Sequence, residues 1–175
     1  MANSNDSANR FRIPTEQIVA EAGEFLSGFR SVFMATTSAD GVPDASYAPF
    51  VRIDDNAFYV NLSELSIHTG NLLATPRVSV MLLQAENDTK QLFARKRLSF
   101  DTEAEVIERD STRWSQVMDL FAGKFGDIMD LIRPLQDFRL FRLVPRSAVY
   151  VRGFAQAYAI DASQLELLRR VNDLR

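Results

Sequence analysis

An Asp40-Gly41 pair, set between two runs of β-type residues, constrains this fold more than any other feature of the chain. An Asp-Gly dipeptide readily adopts the positive φ angles that a tight hairpin turn demands. The run before it, 31-SVFMATTS-38, is β-branched and aromatic, and the run after it is 44-DASYAPFVRI-53. The intervening 39-ADGVP-43 is therefore read as the turn of a β-hairpin.

The remaining segments repeat this strand-and-turn grammar. A third strand is expected at 57-AFYVNL-62, after a turn at Asp54-Asp55-Asn56, and a fourth at 77-RVSVMLLQ-84. Between them, 65-LSIHTGNLLAT-75 is read as a short helix that stops at Pro76. After a polar loop, 85-AENDT-89, a long strand is expected from Lys90 through Arg109. Two more follow in 138-FRLFRLVP-145 and 147-SAVYVRG-153. Helices are predicted from Pro14-Thr15 through Phe29, after a cap at Asp110 or Ser111, in 127-DIMDLI-132, and over 162–175. Gly123 and Gly126 are expected to break the second of these. Six or so mostly antiparallel strands with short helices predict a mainly β fold, a closed or partly closed barrel with helices over its mouth or edges. Residues 1–11 read as a disordered tail and 12–175 as a single domain.

Composition removes whole classes of function. With no cysteine there are no disulfides, thiolate metal sites or cysteine nucleophiles, which fits a cytoplasmic protein. His68 is the only histidine, so a serine triad could be built only around it and a multi-histidine metal site cannot form within one chain. A net charge of −3 gives no general attraction to nucleic acid. No run approaches a membrane-spanning length, so no membrane partner is expected.

The stretch 90-KQLFARKRLSF-100 is the unusual one. Read as a strand, it places Arg95 and Arg97 on one face and Lys96 in an apolar row on the other. Two explanations stand: an edge strand that repels stray strand partners, or an anion site built on paired guanidinium groups.

Taken in order, SYAPFV, H-x-x-N-L, x-P-x-V-S-V, KQLFARKRLSFD, ERDS, Q-D-F-x-L-F-R-L-x-P and GFAQAY resemble the HutZ-type heme utilisation proteins. These belong to the pyridoxamine 5′-phosphate oxidase-like, FMN-binding split-barrel superfamily. The likeness runs from about residue 14 to residue 160. It implies a six-stranded antiparallel split barrel, a homodimer, and equivalent ligand clefts between the subunits, with heme or FMN as the ligand. It also implies that Ser46 and Tyr47 pass close to the bound ring, that His68 and Asn71 line the cleft, and that the strand carrying Arg95, Lys96 and Arg97 approaches it.

Two positions depart from the family pattern. Flavin-binding relatives hold the FMN phosphate with a Ser-Arg-Lys triplet, and the matching residues here are Ser66, Ile67 and His68. HutZ-type relatives bind heme through a histidine near the C-terminus, supported by a carboxylate of the partner subunit. The carboxylate has a counterpart in Asp137, but residues 154–175 contain no histidine. His68 and Tyr158 are the alternative iron ligands. Three functions are thus expected in order: heme binding with oxidative opening of the macrocycle, which needs an unidentified electron donor; an FMN-dependent oxidoreductase; and a tetrapyrrole carrier without catalysis.

Overall fold

The computed structural model describes residues 15–53, 56–161 and 165. Among the described residues, seven antiparallel strands form one sheet: β1 (Ser31–Thr37), β2 (Pro43–Arg52), β3 (Phe58–Ser63), β4 (Arg77–Leu83), β5 (Arg97–Ile107), β6 (Phe138–Gly153) and β7 (Gln156–Ile160). Their order is β3-β2-β1-β4-β5-β6-β7, and a β3–β6 pairing closes the first six strands into a barrel. Helices α1 (Thr15–Ser27), α2 (Ile67–Ala74), α3 (Thr112–Phe125) and α4 (Ile128–Ile132) lie around it. The expected tail over 1–11 lies outside the described residues. So does the helix expected over 162–175, except for Leu165, which is helical and buried.

The β1–β2 hairpin forms where the Asp-Gly pair demands. Gly41 sits at φ 82°, and the Ser38 amide donates to the Val42 carbonyl at 2.9 Å. Alternation then sorts the side chains. Val32, Met34, Ala48, Phe50, Phe58, Val60, Val80, Leu98 and Phe100 fill the barrel, and α1 closes it with Ile18, Val19, Ala22 and Leu26. Burial of each large apolar side chain contributes roughly 1.5–3 kcal/mol. The first half of β3, Phe58–Val60, is buried on both faces because each face is covered there. Phe58, Val60 and Leu62 point into the barrel, while Tyr59 lies outside among Val51, Leu140 and the α3 residues Trp114, Val117, Met118 and Phe121. Ser111 caps α3 by accepting from the Trp114 amide at 3.1 Å.

Several expectations are corrected. Residues 90–96 are not strand. Leu92–Ala94 form a 3₁₀ turn and β5 begins at Arg97. The cause is the length of the neighbour: β4 ends at Leu83, which pairs with Arg97, so earlier residues have no strand to join. β5 is also flanked on both sides, by β4 and β6, so its cations do not guard an edge. The two strands expected on either side of Pro145 are one continuous strand. The β5–β6 register shifts there, with Thr102 opposite Pro145 and Asp101 opposite Ser147, so a bulge accommodates the residue that lacks an N–H. Segment 156–160, not assigned as strand from sequence, is β7. Helix α3 passes through Gly123 and stops only before Gly126, which takes φ 73°.

Candidate functional site

A row of outward side chains crosses the sheet. Tyr47 faces Phe33, Phe33 faces Met81, Met81 faces Ser99, and Ser99 faces Val149. Tyr47, Phe33 and Val149 are 68%, 51% and 44% exposed, which is high for side chains of this size. Tyr47, Phe33, Met81 and Ser99, together with Ala35, Ala45 and Ser79, line a depression of about 490 Å³. Such a wide, flat and nearly uncharged surface suits a planar apolar ligand or another copy of the same face.

The adjacent candidates Ser46 and Tyr47 point to opposite sides of β2. Tyr47 belongs to the outer row. Ser46 lies on the inner side with Ala48 and Phe50, and its buried Oγ has no hydrogen-bond partner among the described residues.

A second group gathers at the α2 end of the barrel. The Asn71 amide is buried and donates to the Thr36 hydroxyl at 3.0 Å. Asp137 accepts from the Ser63 hydroxyl at 2.9 Å, and its backbone carbonyl accepts from the Glu64 amide at 2.7 Å. Asp137 therefore anchors the turn that leads into α2. Ser66 occupies the N-cap position of α2 without a side-chain capping bond, and Ile67 is 71% exposed. His68 is half-buried. Burial lowers its pKa below the ordinary 6.5, and the nearby Asp44 carboxylate works in the opposite direction. The ring is consequently neutral at neutral pH.

The three cations of the unusual stretch go separate ways. Arg95 donates to the Gln84 carbonyl at 2.6 Å and to Glu86 at 3.1 Å, which ties down the loop. Lys96 lies 5.8 Å from the centre of the Phe25 ring, against the C-terminal half of α1. Arg97 alone belongs to β5, on the face that carries Ser99, and has no carboxylate partner among the described residues. The paired-guanidinium arrangement expected from sequence does not form, since Arg95 is not on the strand. Tyr158 packs against the barrel core with Tyr150 opposite, on the side of the sheet away from the exposed row.

Sequence reasoning missed Phe33, Met81, Ser63 and Thr36. Phe33 had a signal: it lies as far before Asp40 as Tyr47 lies after it, so a hairpin centred there pairs the two. Met81 had none, because the β1–β4 pairing is not local. Among the described residues, no group of three acidic or histidine side chains is placed to hold a metal ion, and no helix is long and apolar enough to cross a membrane.

Comparison with known proteins agrees with this architecture. The sequence profile of the pyridoxamine 5′-phosphate oxidase family matches residues 18–152. The heme oxygenase HutZ of Vibrio cholerae is 43% identical over 145 residues, covering 83% of this chain and 82% of that one. A crystal structure of HutZ from Vibrio cholerae, described as a heme storage protein, superposes with a TM-score of 0.72 at 42% identity, over 78% of this chain and 96% of that one. Campylobacter jejuni ChuZ superposes with a TM-score of 0.80 at 30% identity, over 93% of this chain and 70% of that one.

Proposed function

Because the chain belongs to the pyridoxamine 5′-phosphate oxidase family and is closely related to the HutZ and ChuZ heme-utilisation proteins, we propose that it binds heme in a cleft between two copies of itself and opens the macrocycle oxidatively. The observation that carries this reading is the outward row Tyr47–Phe33–Met81–Ser99–Val149, with Arg97 two residues from Ser99 on the same face of β5 and without a carboxylate partner among the described residues. Heme is a flat apolar ring with two carboxylates at one edge. A side-chain row of that kind, next to a guanidinium engaged among the described residues only with the Arg95 carbonyl at 3.4 Å, complements both parts.

The residues present fit heme with one exception: residues 154–175 carry no imidazole. His68 is the replacement we assign. It is the sole imidazole, it is neutral at neutral pH, which is the form that ligates iron, and it stands beside Asp44, next in sequence to Ala45 of the exposed face. Tyr158 is directed into the core and is a poorer choice. Asp137 then acts by holding the Ser63–Glu64 turn, and with it the approach to α2 and His68, through bonds within one chain.

Bound heme supplies oxygen activation at iron, with electrons from a separate donor. This chain's part is to orient the ring on Phe33 and Tyr47, hold a propionate at Arg97, and shut out water once a second copy covers the face. A flavin reading is less well supported. At the matched phosphate position the chain offers Ser66, the exposed alkyl group of Ile67 and a neutral imidazole. A phosphate dianion there would miss two charge-assisted bonds, each worth roughly 1.5–3 kcal/mol. A carrier without catalysis would bind heme at the same residues and differ only in turnover.

The test is a hemin titration of the full chain followed by absorption. The expected result is a sharpened Soret band saturating at one heme per chain, weakened in His68→Ala. A flavin spectrum that survives gel filtration, with no Soret response to hemin, would overturn the heme reading.

A further inference from the structure

A second cavity lies away from the exposed row, where the end of α1, the end of β2 and α3 meet. It holds about 520 Å³. Phe29 and Leu120 give it an accessible apolar wall, the buried Leu26 and Phe50 lie behind, and Ser27, Arg52, Asp119 and Lys124 are its polar lining. The Lys124 ammonium donates to the Phe50 carbonyl at 2.9 Å and lies 4.4 Å from the centre of the Phe50 ring.

Two cations act on this ammonium. Arg30 donates to the Lys124 carbonyl at 2.7 Å, and Arg52 lies near enough to act on the same ammonium, engaged with Asn56 at 3.3 Å. Burial lowers the pKa of Lys124, and the two arginines lower it further. The carboxylate in the cavity wall, Asp119, is taken by Arg133 at 2.8 Å. Lys124 has no ion-pair partner among the described residues. An ammonium carries three donors and here spends one of them on Phe50, with two left for a ligand.

We propose that this cavity binds an amphipathic monocarboxylate, its carboxylate on Lys124 Nζ and its apolar body along Phe29 and Leu120. The anion would pair with the Lys124 ammonium in a partly desolvated place, where a charge-assisted bond is strong. The apolar wall excludes a small, fully hydrated anion as the preferred occupant, and the cation excludes a plain hydrocarbon. A linear alkyl chain and an aryl body share this chemistry.

Calorimetric titration of the full chain with octanoate, 4-phenylbutyrate and octan-1-ol tests the proposal. At least one of the two carboxylates should saturate one site per chain, and octan-1-ol should bind at least tenfold more weakly. Lys124→Met keeps the aliphatic stem and should weaken the carboxylate at least tenfold, with the hemin titration unchanged. A second variant, Gly123→Leu, guards against misfolding of the first. A Cβ at Gly123 meets nothing within 4 Å, so a leucine there fits the helix and fills the cavity mouth. It too should abolish binding. Failure of both carboxylates to saturate, equal affinity in Lys124→Met, or octan-1-ol binding as tightly as octanoate would overturn the proposal. So would joint loss of hemin and carboxylate binding in folded Lys124→Met, since the two sites would then not be separate.

Discussion

Phe33 and Tyr47 stand directly opposite each other across the β1–β2 ladder, each more than half exposed, at 51% and 68%. Two large side chains paired on the outside of a barrel keep each other only partly dry. A second copy laid on this face would remove both from water.

Replacing Phe33 with Glu is expected to convert a dimer to a monomer at micromolar concentration. Two buried carboxylates would raise the dissociation constant at least tenfold, or about 1.4 kcal/mol. The position is solvent-facing in a single chain, so folding stability should change by no more than about 1 kcal/mol. Light scattering coupled to gel filtration reads the mass. An unchanged dimer would place the interface elsewhere.

Arg97 and Arg95 are expected to separate in their effects. Arg97→Ala should weaken hemin binding about tenfold, in line with one lost charge-assisted bond of roughly 1.5–3 kcal/mol. Arg95→Ala should leave hemin affinity within about twofold and loosen the 84–96 loop, since its guanidinium already serves Gln84 and Glu86. Hydrogen exchange of that loop, read beside the Soret titration, distinguishes the two. The reverse pattern would return the anion role to Arg95.

The bond from Asn71 to Thr36 joins α2 to β1 inside the protein. Asn71→Ala leaves the Thr36 hydroxyl buried without that partner and should cost about 1–3 kcal/mol in urea unfolding. The double variant with Thr36→Val should lose less than the sum of the two single changes, because both remove the same contact. Strict additivity in the double variant would show that the bond contributes nothing.

Stability should also depend on pH through His68. Burial holds its folded pKa below 6.5, so the unfolded chain takes up the proton first as pH falls. The contribution of neutral His68 is complete above pH 6.5 and is lost as the pH drops through 6.5 toward the lower folded value. Melting temperatures of the native protein and His68→Gln should therefore converge or cross as the pH is lowered from about 7. Parallel curves across that range would mean that burial does not disfavour the charged ring.

Much of the barrel was legible locally. The Asp40-Gly41 turn, the period-two runs on either side of it and Ser111 before α3 all act over a few residues, and the structure shows each of them. The misreading of 90–100 has a clear cause. Its polar-apolar alternation looks like a strand, but a strand requires a partner backbone, and β4 ends at Leu83. Alanine-rich 156–160 has weak strand propensity and becomes β7 by folding back on β6. Of the candidate residues, Tyr47 and Arg97 share the outer side of the sheet with Phe33 and Ser99, Ser66, His68, Asn71 and Asp137 gather at the α2 end, and Ser46, Lys96 and Tyr158 face elsewhere.

The sequence by itself determined the turns, the caps and which side chains share a face along each strand. Those follow from backbone sterics and from a period that no distant contact alters. Only the tertiary structure decided that Met81 and Val149 extend the Phe33–Tyr47 row, and that Lys124 rests on the Phe50 ring within the influence of Arg30 and Arg52. Those neighbours come from strands and helices far apart in the chain. They meet because closing the barrel through β3 and β6 buries more apolar surface than any local arrangement of the same segments could.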